Sequence, residues 1–111
     1  MIVKEGREST TEALELFQVL AHPVRLQLLA ELSREEECVC HLAALLGRPQ
    51  PYISQQLAEL RDAGLVVDRR EGQRVFYRVI DRRVPALLAA AGIVVARQRP
   101  RVQGCSCPKC V

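Results

Sequence analysis

Apolar positions recur at helical spacing through the first half of the chain and give way to short continuous runs in the second. Ala13, Leu14, Leu16, Phe17 and Leu20 form a wide stripe behind Ser9-Thr10-Thr11-Glu12, whose S-x-x-E spacing predicts a capping box at the start of a first helix. His22-Pro23 closes that helix, because the residue before proline avoids the helical region and proline suits a first helical turn. A second helix follows over Val24–Leu32, with Leu28, Leu29 and Leu32 on one face. Ser33-Arg34-Glu35-Glu36-Glu37 is a charged break, and a third helix runs from Cys38 through Leu46 to a stop at Gly47. Beyond the turn Gly47-Arg48-Pro49-Gln50-Pro51 a fourth helix carries Leu57 and Leu60 and ends at Ala63-Gly64. Leu65-Val66-Val67 and Val75-Phe76-Tyr77-Arg78-Val79-Ile80 then flank Asp68-Arg69-Arg70-Glu71-Gly72-Gln73-Arg74, which predicts a β-hairpin with a basic tip. Val84 opens a fifth, strongly apolar helix that reads on to about Gln98, before Pro100.

Two consecutive helices joined by a short turn and followed by an arginine-bearing hairpin predict a winged helix-turn-helix, mainly α with a small β-hairpin wing. In this reading helices three and four are the pair and the fourth is the recognition helix. At 111 residues the chain makes one domain with a modest core, which dimerisation enlarges. A terminal helix this apolar needs a cover, so with the first helix it forms the expected dimer surface, presenting two reading heads to a palindromic site. Residues 1–98 are thus read as the DNA-binding and dimerisation domain, and residues 99–111 as a basic tail containing cysteines.

The net charge of +3 changes the picture only when it is divided along the chain. Residues 1–47 carry four basic side chains against eight glutamates, residues 48–83 eight arginines against five acids, and the remainder four basic side chains and no acid. The resulting nets of −4, +3 and +4 place positive charge on the proposed reading unit, as a nucleic-acid binder requires. The N-terminus lacks an apolar signal-like run and no segment reaches membrane-spanning length, so a cytoplasmic protein is expected, its five cysteines reduced unless liganded.

Double-stranded operator DNA is the expected partner. Gln50, Tyr52, Ser54, Gln55 and Gln56 fall on the first turns of the fourth helix, where side chains reach base edges in the major groove. Gln55 or Gln56 can bond adenine in a bidentate way, worth roughly 1–3 kcal/mol of discrimination. Arg61, Arg69, Arg70 and Arg74 suit phosphates or the minor groove, positioning the domain rather than reading sequence.

Three stretches carry a family resemblance. Leu20-Ala21-His22-Pro23-Val24-Arg25-Leu26-Gln27-Leu28-Leu29 resembles the L-A-x-P-x-R-L-x-I-L signature of the ArsR/SmtB metalloregulators. Gln50–Leu57 with Leu60–Val66 resembles that family's recognition helix, and Arg69–Arg78 its wing. The similarity covers about residues 10 to 98. Where many relatives have histidines after the recognition serine, this chain has Gln55-Gln56, which implies a shifted operator sequence.

The cysteines fall in two groups, Cys38-Val39-Cys40 and Cys105-Ser106-Cys107-Pro108-Lys109-Cys110. Thiols at a helix N-terminus are favoured as thiolates, which bind soft ions. Glu37-Cys38-Val39-Cys40-His41-Leu42 is similar to the C-V-C-D-L motif of the family's arsenite and antimonite sensors, with His41 in place of aspartate. The resemblance implies three-thiolate coordination of As(III) or Sb(III) as inducer, the third sulfur coming from Cys105, Cys107 or Cys110 of the same or another subunit. Cd(II) or Pb(II) sensing, an ion held by the tail alone, a closed four-thiolate zinc site and thiol-redox sensing stay open beside it. Two residues two apart on a helix point about 200° around the axis, so joint binding by Cys38 and Cys40 is expected to require that the first turn of the third helix unwind or never form.

Other readings weaken on inspection. The family's zinc site needs Asp and His on the last helix, but Asp81 is followed by Arg82-Arg83, and residues 84–111 hold no His, Asp or Glu. His22, beside its proline, reads as structural. No carboxylate sits in a catalytic constellation, so neither an enzyme nor a small-molecule substrate is expected.

Overall fold

A computed structural model describes residues 3–93, with side chains from residue 9 onward. Its elements run α1 (Val3–Leu20), α2 (Pro23–Arg34), β1 (Glu37–Cys38), α3 (Val39–Leu46), α4 (Gln50–Asp62), β2 (Val66–Glu71), β3 (Arg74–Val79) and α5 (Arg83–Ala90). The three strands form an antiparallel sheet in the order β1-β3-β2. This is the winged helix-turn-helix that the sequence predicts, with α3 and α4 as the pair and β2–β3 as the wing.

The helices pack because each carries one fully apolar face. Leu28 and Leu29 of α2, Leu42 of α3, and Ile53, Leu57 and Leu60 of α4 have no exposed surface, and Leu16, Leu20, Val84 and Leu88 close the same cluster from α1 and α5. Burying a side chain of this size contributes about 1.5–3 kcal/mol. Three such anchors on α4 therefore fix its rotation firmly and determine which of its residues face solvent. The wing joins the core through Leu65, Val66 and Tyr77. At the end of α4 the Leu65 N–H donates to the Leu60 carbonyl at 3.0 Å, across Gly64 at φ 79°. That left-handed turn delivers the chain straight into β2.

The structure departs from the sequence reading at five places. Residues Ser9–Glu12 lie inside α1 rather than capping it, since the helix begins at Val3; the Lys4, Glu5, Arg7 and Glu8 run upstream consists of good helix formers and overrides the local cap signal. The charged break hides a strand: Glu37 and Cys38 pair with Tyr77 and Phe76, and Glu37 is fully buried. The third helix consequently starts at Val39, with Cys38 as its N-cap. The wing strands extend through Asp68–Glu71 and Arg74, leaving only Gly72-Gln73 as the tip, so Arg69 and Arg70 are strand residues. Finally, α5 stops at Ala90: Gly92 at φ 81° and the bonds Ile93 N–H to Leu88 O and Gly92 N–H to Ala89 O end it as a Schellman motif. The remainder of the expected fifth helix, to Gln98, lies outside the described residues.

One polar contact ties the reading helix to the rest. Arg25 of α2 donates from Nε to Gln56 Oε1 at 2.9 Å and from a terminal nitrogen to the Val19 carbonyl at 3.3 Å, linking α1, α2 and α4. Gln56 is therefore buried and engaged by Arg25 inside the protein. Replacing it by alanine removes a bond to a charged group, and Gln56→Ala is expected to cost about 1–3 kcal/mol in urea unfolding. The exposed neighbour Gln55→Ala should stay within about 0.5 kcal/mol.

A second prediction concerns acid. The Asp81 carboxylate accepts from the Arg83 backbone N–H at 2.8 Å and pairs with the Arg83 guanidinium at 2.7 Å, opening α5. These contacts, the guanidinium first, hold Asp81 below the usual carboxylate pKa. Its stabilisation is thus complete above the unfolded-state value and lost as the pH falls through the lower folded one. Thermal melts of Asp81→Asn should lie under those of the parent at neutral pH, and the gap should begin to close as the pH falls below about 4.

Candidate nucleic-acid interface and thiol pair

Anchoring α4 by Ile53, Leu57 and Leu60 turns the opposite face outward. Gln50 and Gln55 are exposed, and Tyr52 and Ser54 half-buried, along the first turns of the helix. The Arg48 guanidinium lies 5.6 Å from the Tyr52 ring centroid, so a cation sits beside the N-terminal end of the reading face. Four of the five predicted reading side chains thus share one surface, and Gln56 does not. The periodicity carried that signal: Gln56 lies three residues after Ile53 and next to Leu57, about 60° from the buried axis.

The wing arginines divide by their partners. Arg69 is held by Glu36 at 2.6 and 3.2 Å, by Glu71 at 2.7 Å, and over the Phe76 ring at 4.8 Å. The hydrogen bonds to Glu36 and then Glu71 raise its pKa further above the usual arginine value. Arg61 pairs with Asp68 at 3.4 Å and Asp62 at 3.8 Å. Both guanidiniums are thus engaged by carboxylates of the protein while staying on its surface. Arg70 is exposed and Arg74 half-buried at the base of the tip. Arg48 and the exposed Arg78 add positive charge that the sequence reading did not single out.

The thiols come together because Cys38 stays outside the helix, so the turn that would separate them does not form. Cys38 is extended, at φ −83° and ψ 155°, as the last strand residue and the N-cap of α3, while Cys40 lies in the first helical turn. The bend between strand and helix brings the two sulfurs to 2.9 Å. The 200° argument holds only when both residues are helical, so no unwinding is needed. The His41 N–H donates to the Cys38 sulfur at 3.3 Å, which stabilises charge on that sulfur. Cys38 is buried, Cys40 half-buried, and neither is in a disulfide.

Beneath them His41 and Glu37 are buried together, with Nε2 and Oε1 3.9 Å apart. Glu37 escaped the sequence reading because a run of acids predicts a solvated loop. The thiols open into a cleft of about 110 Å³ that is lined also by Gln50 and Ser54 of α4 and by Gln73, Arg74 and Val75 of the wing. Two soft donors side by side suit a thiophilic ion and offer little to a hard cation. Among the described residues no third Cys, His, Asp or Glu joins them in a group able to hold a metal. Cys105, Cys107 and Cys110 lie outside the described residues.

Comparison with known proteins follows the same lines. Residues 22–67 match the family described as "Bacterial regulatory protein, arsR family". The chain is 44% identical over 80 residues to the biofilm growth-associated repressor of Agrobacterium fabrum, covering 72% of this chain and 68% of that one. It is 42% identical over 87 residues to the arsenic resistance transcriptional regulator ArsR1 of Pseudomonas putida, covering 75% and 66%. The crystal structure of the AntR antimony-specific transcriptional repressor superposes with a TM-score of 0.70 at 36% identity, over 74% of this chain and 75% of that one. Among the described residues no helix is long and apolar enough to cross a membrane. With the helix-turn-helix pair, its wing and these relatives in agreement, the chain belongs to the arsR family of bacterial regulatory proteins and is a DNA-binding transcriptional repressor, not an enzyme.

Proposed function

We propose that this repressor releases its operator when As(III) or Sb(III) occupies the Cys38–Cys40 pair. The observation that carries the reading is the shared cleft: the two sulfurs open onto the same space as Gln50, Ser54 and Arg74, three side chains expected to meet DNA. A ligand on the sulfurs and a duplex on the reading face compete for one set of residues, so each weakens the other's binding by the same factor. The relatives named for arsenic resistance and antimony specificity support this choice of ion.

The roles divide among the chain's own residues. Gln55, with Gln50, Tyr52 and Ser54, reads base edges; Arg70 and Arg74, helped by Arg48 and Arg78, contact the backbone. Cys38 and Cys40 supply two thiolates, and one of Cys105, Cys107 and Cys110 supplies the third, from the same chain or its partner. When bound, the ion supplies a soft electrophilic centre that the two sulfurs hold after losing their protons. Leu14 and Phe17 stand about half exposed on α1, at 55% and 53%. That uncovered apolar stripe supports a homodimer built on α1 and α5, acting in a reducing cytoplasm.

Cd(II) or Pb(II) fits the same donors and is the second reading. Thiol oxidation is the third, favoured by the 2.9 Å between the sulfurs: a peroxide would take two electrons from the pair, closing a disulfide and leaving water.

Fluorescence anisotropy of the reduced protein on its upstream DNA separates these readings. Arsenite or antimonite at micromolar levels should release the duplex, with the effect lost in Cys40→Ser and in Cys38→Ala. Release by cadmium or lead alone moves the protein to the second reading, release by peroxide alone to the third, and no DNA binding overturns all three. In the same assay Gln55→Ala should lose about 1–3 kcal/mol of discrimination at one operator base pair.

A further inference from the structure

The sheet places three side chains in one row. Cys38 pairs with Phe76 across β1 and β3, and Phe76 pairs with Arg69 across β3 and β2. Directly opposed residues project to the same face, and the contacts bear this out. Cys38 and Phe76 form a small buried cluster with Cys40 and Ala44 against it, and the Arg69 guanidinium lies 4.8 Å over the same ring. Arg69 is tied in turn to Glu36 at 2.6 and 3.2 Å, immediately before β1. This cluster is separate from the principal core, which draws on neither Cys38 nor Phe76. A change at the sulfurs is therefore passed to the ring and its guanidinium lid rather than absorbed among the packed leucines.

We propose that Phe76 is the positioning residue through which occupancy of the Cys38–Cys40 pair moves the wing, with the Glu36–Arg69 ion pair holding the ring's outer face. The idea rests on the thiol reading above and adds to it a second route to release. Besides competing at the shared cleft, the occupied thiols displace Phe76, and with it the strand register that aims Arg70, Gln73 and Arg74. Arg69 and Glu36 thus serve as a clasp, and the wing is held in its DNA-competent setting only while the ring stays seated against Cys38.

Phenylarsine oxide is a suitable probe, since it needs only two thiols: two As–S bonds form, the As–O bond breaks, and the oxygen leaves as water with both thiol protons. The experiment uses the full chain with Cys105, Cys107 and Cys110 changed to Ser, compared with the same chain carrying Phe76→Leu or Glu36→Gln. Stoichiometry is read by mass, wing opening by amide hydrogen exchange over residues 66–79, and operator affinity by anisotropy. In the parent, one probe per chain should speed wing exchange and weaken operator binding, each by about tenfold, within the usual range of coupling between sites.

Both variants should bind the probe fully. The change in exchange should fall below about twofold in Phe76→Leu, and Glu36→Gln, which leaves the apolar cluster intact, should lie between it and the parent. Equal wing responses in all three proteins, or no wing response in a fully loaded parent, overturn the proposal. A wing response without loss of operator affinity supports the Phe76 route and overturns the thiol-release reading. Failure of the probe to bind at Cys38 and Cys40 overturns both.

Discussion

The structure turns on the backbone of Cys38, which must be strand and helix boundary at once. Its extended conformation pairs it with Phe76, and the next peptide begins α3. That double role fixes the position of α3 against the wing and the meeting of the two sulfurs. It also explains the buried Glu37: the strand that seats Cys38 against β3 carries its neighbour into the interior, where His41, one turn into α3, lies beside it. A two-residue strand has little hydrogen bonding of its own. Its setting relies on the flanking contacts, with Phe76 on one side and the first turn of α3 on the other.

Reading DNA and holding a soft ligand are ordinarily separate tasks, and in the proposed function they share one boundary. The first turns of α4 and the tip of the wing form two walls of a cleft whose third wall is the thiol pair. Helix α4 is set by three fully buried anchors and by the Arg25–Gln56 bond, whereas the buried side chains of the wing lie at its base and residues 68–73 toward its tip are exposed. The asymmetry matters for regulation: the element with the shallower attachment is the one that a local event moves.

Most of the architecture was legible in the sequence because it rests on periodic burial. The leucines of α2 and α4, the glycine stops at Gly47 and Gly64, and the change of period at Leu65 each specify their element locally. What escaped was set by contacts distant in sequence. No local signal marks Glu37-Cys38 as a strand, since a two-residue strand has no period and exists only because β3 lies beside it. The same holds for Arg69, whose partner Glu36 is thirty-three positions away, so nothing local in the basic run announces that carboxylate. Gln56 is a different case: its inward direction follows from the spacing to Ile53 and Leu57, although its amide chemistry alone suits a base edge. The end of α5 turned on Gly92, which apolar neighbours on both sides disguised as part of a longer helix.

The separation between the cluster of Cys38 and Phe76 and the principal core has a consequence for how such proteins diversify. If that cluster is the sensory end, as proposed, substitutions there spare the leucine cluster, and a lineage can exchange one inducer for another without re-evolving a foldable scaffold. Gln55, exposed on α4, offers the same freedom at the proposed operator contact. On the proposed function, a change of inducer at the thiols leaves Gln55 free to vary, and a single ancestral gene can be duplicated into switches that differ in both inducer and target.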